Sequence, residues 1–188
     1  MQMRMIVKLF ANAFAGAFAA LVLPGAPAVG EVLGADDTGF EIEHVRTLDA
    51  EPDASWNRLV RPADWWHSHH TWSGDAGNLT LAPRAGGCFC EAMPDGGSNE
   101  HLRVVHAAPG RLLRLDGRLG PLQALPLTGV MSFELAAGES GSTTVTLRYV
   151  VAGPPGSALQ NWAPAVDGVL AQQVGRLTRP AIGVVGDP

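Results

Sequence analysis

From Asn78 onward, glycine and proline interrupt the chain roughly every 8 to 12 residues, the spacing of short antiparallel strands joined by turns. The segments between these breaks predict strands over 78–83, 87–93, 101–107, 111–119, 129–136 and 143–152. The last has the clearest pattern. Val145, Leu147, Tyr149 and Val151 alternate with Thr144, Thr146, Arg148 and Val150, so one face is apolar and the other mixed. A sheet built in this way has one face to cover.

The cover is predicted at the C-terminal end. Leu159, Trp162, Val166, Leu170, Val174 and Leu177 recur at steps of three and four, which places them on one stripe of a helix running to about Thr178. The helix starts near Ser157 or Pro164, since proline is tolerated only in a first turn. Before the meander, residues 40–48 mix β-formers with charges and read as a first strand. Pro52 opens a short helix on which Trp56, Leu59 and Val60 share a face, and a second brief turn follows over 62–66. Residues 29–39, rich in Gly, Ala and Asp, read as a loop, and residues 179–188 as a flexible tail.

A chain of 188 residues suits one domain. With 46% hydrophobic and 16% charged residues it has the composition of a compact globule. Residues 1–28 read as a signal peptide: Arg4 and Lys8 precede an apolar run from Leu9 to Leu23, and Ala26-Pro27-Ala28 supplies a small-residue cleavage pattern. The run is shorter than the roughly 20 residues that span a bilayer, so membrane contact is expected only through this segment if it stays uncleaved. The expected location is exported, periplasmic or secreted. Beyond residue 28 there is no lysine, and eleven arginines face eighteen acidic residues, a formal charge of −7. An acidic surface is a poor partner for nucleic acid, and the missing lysine removes Schiff-base and P-loop chemistry. No G-x-S-x-G, H-E-x-x-H or G-x-G-x-x-G string occurs, and no cofactor is expected.

Several strings resemble the START-like superfamily, also called SRPBCC or polyketide cyclase/dehydrase-like, which includes the activator of Hsp-ATPase homologue-like proteins. Ala50-Glu51-Pro52-Asp53-Ala54-Ser55-Trp56-Asn57-Arg58-Leu59 is similar to the start of that family's first helix, and Trp65-Trp66 to the aromatic pair ending its second. His70-Thr71-Trp72-Ser73-Gly74-Asp75, Gly86-Gly87-Cys88-Phe89-Cys90-Glu91 and Gly120-Pro121-Leu122-Gln123 resemble an exported bacterial branch. Over residues 39–178 the resemblance implies an α+β helix-grip fold. Its features are a curved antiparallel sheet of about seven strands wrapped around a long C-terminal helix, with two short helices after the first strand. It further implies a cavity between sheet and helix, the kind of concave apolar site that takes a small hydrophobic molecule. Activity does not follow from such a fold, and export separates this chain from cytoplasmic chaperone activators.

Within that frame Trp66, Trp72, Tyr149 and Trp162 are the expected aromatic walls of a ligand site, with His70, His106 or the thiols of Cys88 and Cys90 as polar contacts. An enzyme of cyclase or dehydratase type would use His70 or His106 as general base. A third possibility is a metal centre from His67, His70, Cys88 and Cys90, whose nitrogen and sulfur donors suit zinc or copper. In an extended strand, Cys88 and Cys90 would stand with Cα atoms roughly 6.5 to 7 Å apart, at or beyond the disulfide limit, so two separate thiols are expected. His101 and His106, at odd separation on one strand, face opposite sides, and at most one lines the cavity. Glu91, Glu100 and Glu134 are expected on the solvated face, and Asp75 as a turn cap.

Overall fold

A computed structural model describes residues 29–179. The signal-peptide reading of residues 1–28 lies outside the described residues, as does the tail from residue 180. The described chain is α+β. Eight antiparallel strands form one sheet in the order β1-β2-β8-β7-β6-β5-β4-β3: β1 (Val29–Ala35), β2 (Gly39–Leu48), β3 (Leu79–Leu81), β4 (Cys88–Ala92), β5 (Ser98–Ala108), β6 (Leu112–Asp116), β7 (Thr128–Ala137) and β8 (Thr143–Ala152). Between β2 and β3 lie helix α1 (Pro52–Leu59) and three 3-10 turns, the first being Pro62–Asp64. Helix α2 (Ala163–Leu177) closes the described chain.

The strand count is eight rather than about seven because residues 29–35 pair with β2. Their glycines read as a loop, yet one of them is what lets the strand pack. Gly30 pairs with His44, and a Cβ at Gly30 would run into the His44 imidazole. The expected alternation on β8 is met: Thr143, Val145, Leu147, Tyr149 and Val151 are all buried. Helix α2 lies across β1 and β2, with Pro164 in its first turn and Leu170, Val174 and Leu177 buried. The predicted stripe is the packed one.

Under α1 the core is filled by aromatic contacts. Trp65 meets Phe133 edge-on with centroids 6.4 Å apart, and Trp66 meets Phe89 edge-on at 5.4 Å. The void left beside them is about 20 Å³, room for one water at most. Ligand-sized space lies elsewhere.

That space follows from the early end of β6. The strand stops at Asp116 instead of continuing to 119, and residues 117–127 leave the sheet as a loop containing a 3-10 turn at Gly120–Ala124. Gly117 has φ 139°, outside the range that L side chains adopt readily. Its amide donates to the Gly129 carbonyl on β7 at 2.8 Å. A Cβ at Gly129 would collide with the Gly117 carbonyl oxygen. The two glycines let the loop depart tightly, and β5 and β7 are left without a strand between their N-terminal ends.

Candidate functional site

The loop, the N-terminal half of α2 and the segment Trp66–Trp72 enclose a cavity of about 350 Å³, within the size range of small-molecule sites. Trp162 at the N-cap of α2 and Val166 and Val169 on the helix fall at i, i+4 and i+7 and roof it. Leu119 to Leu122 of the loop form one wall, and Trp66, His70 and Trp72 the other. Trp66 is 6% exposed and donates from Nε1 to the His70 carbonyl at 2.9 Å, whereas Trp72 is 51% exposed at the rim. The lining is mostly apolar, with one buried polar group at its edge.

That group is His101, held by Glu91. Glu91 is buried rather than solvated. Its Oε2 accepts from the backbone N–H of Trp72 at 3.1 Å and lies 2.8 Å from His101 Nε2; Oε1 accepts from the backbone N–H of Ser73. Burial by itself would raise the Glu91 carboxyl pKa. The hydrogen bonds from Ser73, Trp72 and His101 outweigh burial and hold the pKa below the usual glutamate value. With Glu91 ionised, His101 Nε2 carries the proton and donates it to the carboxylate. Asn99 Nδ2 approaches His101 Nδ1 at 3.2 Å, and Phe89 packs on the ring with centroids 5.1 Å apart.

The sheet register explains why strand parity misplaced this pair. Phe89 pairs with Leu102 and Cys90 with Glu100, so His101 is an extra residue in β5, and His101 and Leu102 are both buried in succession. A bulge of this kind re-aims one side chain. A second irregularity falls between Val104 and His106, and His106 is exposed. It is absent from the cavity lining. Glu100 and Glu134 are exposed as expected, and Asp75 caps a turn through the Gly77 amide.

The same irregularity overturns the expectation of two thiols. Cys88 and Cys90 are joined as a disulfide, with Cα atoms 5.3 Å apart, because β4 is contracted where its pairing with β5 shifts. That separation is within the usual disulfide range. Phe89 and Glu91, the alternate residues of β4, are the buried ones, so the cysteines point to the outer face and away from the cavity. The four metal-ligand candidates therefore do not converge. His67 accepts from the His69 amide through Nδ1, His70 Nε2 lies 2.7 Å from Gln172 Oε1 on α2, and the sulfurs are grouped with Glu100 instead.

Tyr149 is also placed differently. It is 0% exposed and belongs to the core, and its hydroxyl donates to the Gly117 carbonyl and accepts from the Leu119 amide, both at 3.2 Å. Burial pushes its pKa up to about 12. Rather than forming a wall itself, Tyr149 fixes the loop that does.

A second ionisable pair, unnoticed in the sequence, lies under α2 and joins buried His44 to half-buried Asp167. His44 Nε2 is 3.0 Å from Asp167 Oδ1. Burial lowers the His44 pKa against the opposing pull of Asp167, and burial likewise lowers that of His101. A histidine with a depressed native pKa binds fewer protons folded than unfolded, so acidification favours unfolding. Glu91, lowered from 4.5, acts in the same direction at lower pH. The melting temperature is therefore expected to be highest above the unfolded histidine value of 6.5 and to fall steadily on acidification below it. A flat melting temperature between about pH 5 and 7.5 would contradict these environments.

Fold and site together define an α+β domain with a ligand-sized cavity beneath its C-terminal helix. No family model matches the sequence, and no curated protein matches it. Solved structures share the fold. A conserved protein of unknown function from Enterococcus faecalis, EF2215, superposes with a TM-score of 0.57 at 12% identity over 86% of this chain and 81% of its own. CalU16 from Micromonospora echinospora gives 0.51 at 15% identity over 81% and 83%. DynU16, a protein of the dynemicin biosynthetic locus, gives 0.52 at 21% identity over 77% of this chain and 47% of its own.

Proposed function

We propose that this protein is an exported START-like (SRPBCC) binding domain that holds a small apolar or aromatic molecule between its sheet and its C-terminal helix. The observation that carries the reading is the apolar cavity of about 350 Å³, roofed by Trp162, Val166 and Val169, whereas the void under α1 is only about 20 Å³. Fold likeness to CalU16 and DynU16, the latter from a biosynthetic locus, supports a ligand-handling role. Export rests on the Arg4, Lys8 and Ala26-x-Ala28 pattern, and a disulfide accords with an oxidising compartment.

The test is a titration with 2-naphthol, read by tryptophan fluorescence, against a Val169→Trp variant that fills the cavity. Saturable binding weakened about tenfold or more in the variant, at unchanged melting temperature, is expected. Equal binding by both proteins, or none by the wild type, would sink the reading.

A second reading, catalysis of cyclase or dehydratase type, is favoured by one observation, the buried Glu91–His101 pair at the cavity edge. A carboxylate that orients a neutral imidazole is the arrangement of an oriented general base. In this reading His101 replaces His106, which is remote from the cavity, and His70, which is engaged with Gln172 at the mouth.

A further inference from the structure

A second cavity, of about 240 Å³, adjoins the first on the other side of the Gly117–Gln123 loop. The two share His101: Leu119 to Leu122 face the apolar cavity, whereas Gly117, Arg118 and Gln123 face the second. The second cavity is polar. Arg103 and Glu100 in its wall form an ion pair with each other, and Asp116 is exposed and solvated. Arg118 is different. It is half-buried, its Nη1 donates to the Leu127 carbonyl at 2.8 Å, and its Nε is buried with no acceptor. No carboxylate lies within ion-pair distance of it among the described residues. The hydroxyl of Tyr149 bonds Gly117 and Leu119, on either side of Arg118, so the backbone that carries the guanidinium is fixed before any ligand arrives.

A half-buried guanidinium that lines a polar recess, with one nitrogen held by a backbone carbonyl and no carboxylate paired to it, is placed to receive an anion, and the planar fork matches a carboxylate. The two arginines and two acids of the lining balance in charge. Because Glu100 is paired with Arg103, Arg118 is the one arginine left to meet a single negative charge, and Asp116 in the same lining disfavours a doubly charged phosphate. We propose that the polar cavity is a carboxylate subsite anchored by Arg118. The ligand is then an amphipathic carboxylic acid with its apolar body under α2 and its charged end past His101. This proposal rests on the binding function proposed above and specifies the class of ligand.

The experiment compares 2-naphthylacetic acid with 2-(2-naphthyl)ethanol by calorimetry on the full chain, in the wild type, Arg118→Gln and Arg118→Lys. The acid is expected to bind about tenfold or more tightly than the alcohol in the wild type. Arg118→Gln should abolish that preference while leaving the alcohol's affinity unchanged, and Arg118→Lys should retain part of it. A purely structural role for Arg118 predicts instead a loss of stability in urea with the same ratio between probes. Equal binding of acid and alcohol by the wild type, or an acid preference that survives Arg118→Gln, would overturn the carboxylate subsite and leave the apolar cavity standing. Failure of both probes to bind the wild type would overturn the binding function itself, and the subsite with it.

Discussion

Replacement of Glu91 by alanine is expected to lower the free energy of unfolding by about 3 to 5 kcal/mol, the usual cost of removing one partner from a buried ionic pair. The carboxylate gathers the backbone N–H groups of Trp72 and Ser73 and the Nε2–H of His101. Without it the buried His101 donor is stranded and the two backbone donors lose their acceptor. Urea denaturation reads the effect directly. Glu91→Gln keeps an acceptor but turns an amide N–H₂ toward those donors, so its loss should be intermediate. A loss below about 1 kcal/mol in Glu91→Ala would mean that water takes over the carboxylate's hydrogen bonds and that the pair is not structural.

The second large effect is expected at Trp66. Trp66→Ala should cost about 3 to 5 kcal/mol, as for other buried large aromatics cut to alanine. It removes the edge-on contact with Phe89 and the tilted contact with Trp65 and frees the His70 carbonyl. Trp66→Phe retains much of the packing but not the hydrogen bond, and should fall between. Trp72, the third indole of the segment that also carries Trp65 and Trp66, is half in solvent. Trp72→Ala should change stability by about 0.5 kcal/mol or less while weakening 2-naphthol binding. Comparable stability losses at the two positions would contradict the assignment of one ring to the core and the other to the rim.

The elements that the sequence made readable are those whose reasons are local. Alternation on β8, the apolar stripe of α2 and the proline that opens α1 each reflect one segment's own periodicity. Features that depend on a partner segment were not readable. Residues 29–35 form a strand although their glycines signal a loop, because the missing side chain of Gly30 makes room for His44 on the neighbouring strand. Glu91 and His101 meet because a bulge in β5 adds one residue against β4, and parity counted along a single strand cannot register it. The Cys88–Cys90 bond arises at the same irregularity. For Tyr149 the inward orientation was correctly read, but its task depends on where the loop at 117–119 is laid down. Of the cavity residues anticipated, Trp66, His70, Trp72 and Trp162 line it. The cysteines, Tyr149 and His106 do not, and of the two histidines on β5 it is His101 that reaches the cavity.

The disulfide encloses a single intervening residue, and a ring so small removes little freedom from the unfolded chain. It therefore does not clamp distant parts of the protein together. It acts as a crimp in one strand, holding the contraction across from which β5 must carry its extra residue. Oxidation at the outer surface of the sheet is thereby linked, through the shape of the backbone alone, to the direction in which an imidazole points on the inner one.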